Sequence, residues 1–296
     1  MSTTDPMKRA CLIILLLSVS LLSSCGVYRE YDSAAGAFTD AEGIPQWREF
    51  FTDPCLQELI DIALFRNTAL SAAETRLLQA DESLRAAGLA YLPSLFFKPN
   101  GGIAVSSSGD ASYSFGLPFS IGWNFGSPGA IFARKHQAQA RRIQAQDNLD
   151  AVRNELISQI AADYYMLQML DRKAEILEKT ITEWTYSMEF QRDLLNLGKA
   201  FYGAVAQMEG KLIDAKQELL KVRADIATLE RAVCLLAAEP YRAVRRSAAD
   251  SSSSLMLIDG EVDFGQLRRR PDVRAAERDL EITYYLTSEA RSAFYP

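Results

Sequence analysis

The sequence predicts a mainly α fold: a long α-helical coiled-coil hairpin, a short β-hairpin of the membrane-barrel kind, and an incomplete second repeat. Three observations predict it. Two helical runs carry apolar residues in steps of three and four, seven large apolar residues alternate with small or polar ones over 113–125, and residues 268–296 repeat residues 65–93 at a spacing of 203 positions. The identities in that repeat are Arg66/Arg269, Ala72/Ala275, Ala73/Ala276, Glu74/Glu277, Leu77/Leu280, Ala87/Ala290, Ala90/Ala293 and Pro93/Pro296. An internal repeat of this kind sets the architecture before any single element is read.

Residues 1–24 read as an export signal. Lys8 and Arg9 form the basic region, and an apolar stretch over 10–22 follows that is too short to span a bilayer. Leu22-Ser23-Ser24-Cys25 has the form of a lipobox, so Cys25 is expected to be lipidated and to begin the mature chain. Gly26, where an aspartate would retain the protein inside, favours passage to the outer membrane. Residues 25–49 are aperiodic and read as a tether. Residues 50–93 read as the first helix of repeat one, opened by Thr52-Asp53-Pro54 as a cap with an early proline and closed at Leu92-Pro93.

The period then changes from helical to strand-like over 94–126. Tyr113, Phe115, Leu117, Phe119, Ile121, Trp123 and Phe125 occupy every odd position, and Ser114, Gly116, Pro118, Ser120, Gly122 and Asn124 the even ones. Strict alternation makes a strand with one apolar face. The run exceeds the roughly 9–11 residues of a tilted membrane strand, so these odd positions are expected to face lipid. A weaker strand over 95–105 pairs with it through the polar turn 106–110. Pro118 removes one ladder donor and is the flaw in the pattern.

Residues 127–240 read as a helical hairpin. The first helix carries Ile160, Asp163, Leu167, Leu170, Ala174, Leu177, Ile181, Trp184, Met188, Gln191 and Leu195 in steps of three and four. The second carries Val205, Met208, Leu212, Ala215, Leu219, Val222, Ile226, Leu229, Val233 and Leu236, apolar throughout. A heptad seam sustained this long predicts left-handed supercoiling. A second stripe, Ala206, Ile213, Leu220, Ala227 and Cys234, widens the apolar face enough to meet another neighbour. The tip falls at 196–200. Glu239-Pro240 stops the second helix, and 241–266 reads as a linker, polar and mobile over 245–254. Residues 267–296 open repeat two with its first helix.

Little in the chain is suited to catalysis. Its one histidine, His136, sits in a polar helical stretch and reads as solvated, and Cys55 and Cys234 read as unpaired small apolar residues. One histidine and separated cysteines cannot assemble a zinc site or a nucleophile–base pair at usual spacings. Gly101-Gly102 and Gly198-Lys199 lack the context of a phosphate loop. A net charge of −6 gives nucleic acid no encouragement, and the acidic neighbours of Arg268–Arg270 offset that run. No cofactor is expected.

Four stretches resemble the TolC-like outer-membrane efflux proteins, specifically their lipidated NodT-like branch. They are Leu267–Arg278 (LRRRPDVRAAER), the helix end Ala290–Pro296, Ile121–Gly126 as a shortened strand end, and the lipobox with its short linker. The resemblance implies a homotrimer in which each protomer gives four strands to a twelve-strand barrel and long helices to a periplasmic tunnel. It implies a duct, not an enzyme, seated in outer-membrane lipid, docked on a periplasmic adaptor and fed by an inner-membrane transporter. Adaptor contact would map to Asn196, Leu197, Gly198, Lys199 and Ala200, although Phe201-Tyr202-Gly203-Ala204 replaces the small polar stretch that usually follows. Two strands per chain give six in a trimer, fewer than the roughly eight of the smallest closed single-chain barrels, so these residues alone are expected not to close a pore. A non-pore coiled-coil lipoprotein of the periplasmic face is the alternative.

Overall fold

The computed structural model describes residues 29–32, 47–105, 111–123, 128–247 and 267–294. Helices α1 (Trp47–Phe50), α2 (Pro54–Arg66) and α3 (Thr68–Leu89) precede strands β1 (Ser94–Phe97), β2 (Asn100–Val105), β3 (Ala111–Gly116) and β4 (Phe119–Gly122). Helices α4 (Pro128–Asn196), α5 (Tyr202–Leu236) and α6 (Pro271–Ser292) follow. The chain forms two compact units. One gathers residues 1–38, 75–148 and 268–296, the other residues 39–74 and 149–267.

The second unit holds the core. Leu56, Leu59, Ile60 and Ala63 of α2 pack in one cluster with Leu156, Ile160, Tyr164 and Leu167 of α4 and with Val233, Cys234 and Ala237 at the end of α5. Asp53 caps α2 by accepting from the Cys55 amide at 2.9 Å. The region expected to form one helix over 50–93 is instead two, α2 and α3, and Asn67 marks the break. Its side-chain oxygen accepts from the Ala69 and Leu70 amides at 2.8 and 3.0 Å, while its amide donates to the Leu236 carbonyl at 2.8 Å. One asparagine thus starts α3 and ties it to α5, which an unbroken helix could not do.

Every heptad-seam residue of α4 and α5 named above is buried or half-buried. Between the two helices Lys173–Glu218 and Arg223–Glu178 pair at 2.6 and 2.7 Å on the exposed flanks. Of the second stripe, Ala206, Ile213 and Leu220 are exposed, while Ala227 and Cys234 are covered. Both ends of the helical hairpin close by the same device, in which the amide two residues beyond the cap returns to a carbonyl five back. Lys199 returns to Leu194 at 2.8 Å around Gly198 (φ 71°), and Glu239 returns to Cys234 at 2.9 Å around Ala238 (φ 49°).

In the first unit the strands pair antiparallel, β1 with β4 and β2 with β3. The two ladders share one register: stepping on from Phe97↔Phe119 brings Lys98 opposite Pro118 and Pro99 opposite Leu117, then Asn100↔Gly116. They are one hairpin, divided where two prolines fall on facing legs. The single bond across the gap is from the Lys98 amide to the Pro118 carbonyl at 3.3 Å. The first stretch of α4 lies between α3 and α6 in this unit. Arg142 meets Asp81 of α3 at 2.9 Å, and Arg134 meets Glu289 of α6 at 2.6 Å.

The repeat reappears as geometry. α3 and α6 begin and end at the same spacing of 203 positions seen in the sequence, Thr68 to Pro271 and Leu89 to Ser292.

Candidate functional site: an exposed apolar hairpin and a helical tip

Pairing sets the faces of the hairpin. Ile103↔Tyr113, Gly101↔Phe115, Phe97↔Phe119 and Leu95↔Ile121 place large apolar side chains of both legs on one face. Tyr113, Phe115, Leu117, Phe119, Ile121 and Trp123 are all exposed, so this face has no cover among the described residues. The opposite face carries Ser112, Ser114, Ser120 and the glycines 102, 116 and 122, with Phe96 as its one large apolar member. Two of those glycines face close neighbours: a Cβ on Gly116 would stand 2.3 Å from the end of the Asn100 side chain, which would have to turn away, and one on Gly122 would stand 3.1 Å from Phe96. Phe125 and Cys25 lie outside the described residues.

The tip follows from the closing turn. Asn196 is the last residue of α4, Leu197 its cap, and Gly198 takes the left-handed conformation that glycine alone adopts without strain. Lys199 and Ala200 complete the turn, and Phe201 caps α5 in extended backbone with no side-chain hydrogen bond. Leu197, Phe201 and Tyr202 are strongly exposed, which makes the tip apolar and aromatic.

A third arrangement was not read from the sequence. Residues 245–247, expected to be mobile, are held to the helices; residues 248–266 lie outside the described residues. Ser247 Oγ and Tyr164 OH both donate to Asp53 Oδ2, the latter at 2.6 Å, and the Ser247 amide donates to the Tyr164 oxygen at 3.1 Å. Beside them Arg246 pairs with Asp171 and, at 2.8 Å, with Glu230. Burial pushes the Tyr164 hydroxyl up to about 12, helped by the adjacent Asp53 carboxylate. Burial opposes ionisation of Asp53, but the hydrogen bonds from Ser247, Tyr164 and the α2 amides outweigh it and hold that carboxyl below its usual value. The only sequence signal was Glu230, an acid beside the apolar seam. These groups pin a strand-free segment to α2, α4 and α5, so they read as a structural clasp.

His136 also departs from expectation. It is not solvated but half-buried, its ring 4.3 Å from Phe132 and stacked at 5.1 Å on Tyr285 of α6. The reason lies in chain distant in sequence, since α6 covers the polar stretch around it. Cys55 and Cys234 are free thiols, half-buried and buried. Among the described residues no His, Cys, Asp or Glu cluster could hold a metal ion, and no helix is long and apolar enough to cross a membrane.

The family model of the outer membrane efflux proteins matches residues 59–239. The chain belongs to the outer membrane efflux protein family. The cation efflux system protein CusC of Escherichia coli O157:H7 is 26% identical over 256 residues, covering 84% of this chain and 55% of CusC. The probable outer membrane lipoprotein SilC of Salmonella typhimurium is 25% identical over 260 residues, with the same shares covered. In fold, a membrane protein from Pseudomonas aeruginosa matches with a TM-score of 0.76 at 19% identity, over 91% of this chain and 65% of that one. The chain therefore spans about half the length of the relatives it matches.

Proposed function

We propose that the chain is a lipid-anchored subunit of an outer-membrane efflux duct. In this reading Cys25 carries the lipid, and Tyr113, Phe115, Leu117, Phe119, Ile121, Trp123 and Phe125 face the membrane hydrocarbon. Asn196, Leu197, Gly198, Lys199 and Ala200 meet a periplasmic adaptor, which links the duct to an inner-membrane transporter. Passage of solute needs no bond-making group, so the chain acts as conduit and not as catalyst. The cation efflux assigned to CusC and the lipoprotein character assigned to SilC support the class of function.

One observation carries the proposal: a hairpin whose large apolar side chains, Phe96 apart, lie exposed on one face, with mainly small and hydroxyl side chains behind them. In water such a face would drive aggregation, whereas in a bilayer it is satisfied and the opposite face lines an aqueous lumen. Environment-sensitive labels at 113, 115, 119 and 121 against 114, 116 and 120, in outer-membrane vesicles, test it. Hydrocarbon surroundings for the odd set alone are expected. Aqueous surroundings for both sets would favour a scaffold on the periplasmic face and remove the duct.

A further inference from the structure

The exposed apolar surface of the hairpin continues past its base. Leu89, Tyr91 and Leu92, where α3 gives way to β1, are all exposed, as is Trp123 just beyond β4. Charge is scarce along this stretch: between Arg85 and Arg134 the sequence holds only Lys98 and Asp110. Lys98 sits on the small-residue face, its ammonium 6.0 Å over the Phe96 ring. On the helical side the next cations are Arg134 and Lys135, in the second turn of α4. Arg134 pairs with Glu289 at 2.6 Å. Among the described residues Lys135 pairs with no carboxylate, and its ammonium stands 5.8 Å over the Tyr91 ring.

A lysine laid on an aromatic ring, with exposed leucines beside it, is the make-up of a membrane–water boundary, where the ammonium reaches the polar zone from an apolar stem. Tyr91 precedes the first residue of β1 by three positions, at most about 11 Å of chain, which keeps it near the headgroup layer if the strand spans the hydrocarbon. The tether marks the same level independently. The Tyr31 amide donates to the Tyr285 hydroxyl at 3.2 Å, and the Tyr284 hydroxyl donates to the Arg29 carbonyl at 3.1 Å. Tyr285 in turn stacks on His136, the neighbour of Lys135 in α4. Cys25 precedes Arg29 by four positions, so covalent geometry keeps it within about 14 Å of that residue. Acyl groups on Cys25 would therefore enter the membrane close to Lys135.

We propose that Lys135, positioned by the Tyr91 ring, binds the phosphate of a phospholipid headgroup in the leaflet that the tether enters, and so sets the depth of the hairpin. The ammonium donates to a phosphate oxygen in a charge-assisted bond, and Leu89 and Leu92 offer the acyl chains apolar surface. This inference rests on the membrane reading of the hairpin given above.

Lysine acylation by a water-soluble reagent, read by mass spectrometry, tests it on the purified full chain in two uncharged bilayers, phosphatidylcholine and the phosphate-free digalactosyldiacylglycerol. Lys135 is expected to react at least about fivefold more slowly in the phosphate-bearing bilayer, with the exposed Lys211 unchanged. Tyr91→Ala is expected to remove most of that difference. An environment-sensitive label at 119 in the same vesicles separates the two ways of failing. Hydrocarbon surroundings at 119 with equal Lys135 rates in both bilayers would overturn the headgroup site alone, whereas aqueous surroundings would overturn it together with the membrane reading. Equal slowing by inorganic phosphate in uncharged detergent micelles would assign Lys135 to a free anion and overturn the lipid site.

Discussion

Ala238 stands at φ 49°, a conformation that costs an L side chain about 1–2 kcal/mol and glycine almost nothing. Its counterpart at the other end of the hairpin, Gly198, has no such strain. Ala238→Gly is therefore expected to raise unfolding stability by about 0.5–1 kcal/mol in urea titration, after the extra freedom of the unfolded glycine is subtracted. The clasp gives a second residue-scale outcome. Arg246→Ala removes the cation from the buried Glu230 carboxylate, leaving it only the 3.4 Å hydrogen bond from Tyr241, and is expected to cost about 3–5 kcal/mol. Arg223→Ala breaks an exposed pair and is expected to cost under about 1 kcal/mol. The clasp also responds to pH. Tyr164 is held neutral, so its contribution is complete below the free tyrosine pKa near 10 and is lost as pH rises toward about 12. Asp53 is held charged, so its contribution is present above its free value and is lost as pH falls through the lowered one. Tyr164→Phe is expected to flatten the alkaline limb of a pH–stability profile and leave the acid limb in place.

Neighbouring positions on α5 separate covered from open packing. Leu212 is 6% exposed and Ile213 is 56% exposed. Leu212→Ala is expected to destabilise by about 2–5 kcal/mol, and Ile213→Ala by under about 0.5 kcal/mol in the isolated chain, by the same urea midpoint measurement. At this scale the sequence was most informative, because periodicity is a property of one element. The seams of α4 and α5, the alternation at 113–123, the proline fault at Pro118 and the turn at Gly198 were all legible, since each follows from local spacing or backbone preference. What was not legible depends on partners far along the chain. Asn67 breaks a helical pattern because Leu236 is there to receive it, His136 is covered because α6 lies on it, and 245–247 is fixed because Asp53, Asp171 and Glu230 converge on it. Of the candidate site, the hairpin and tip residues could be named from sequence, but the clasp could not.

At the scale of the molecule, the described residues contain one hairpin. Three copies bring six strands, and a sheet that does not close leaves backbone groups unsatisfied in hydrocarbon at several kcal/mol each. Residues 1–296 reconstituted alone in planar bilayers are therefore expected to give no stable conductance. Steady unit currents from the purified chain would show closure by another route.

The paired prolines also make the hairpin's two flanks unequal. The inward bond at Lys98–Pro118 means, by strict alternation, that Pro99 turns its nitrogen outward. An incoming strand on the β1–β2 flank therefore lacks one rung at mid-height, whereas the β3–β4 flank presents its rungs intact. The two edges of a symmetric-looking element thus offer a neighbouring strand unequal ladders, the complete one along residues 111–122.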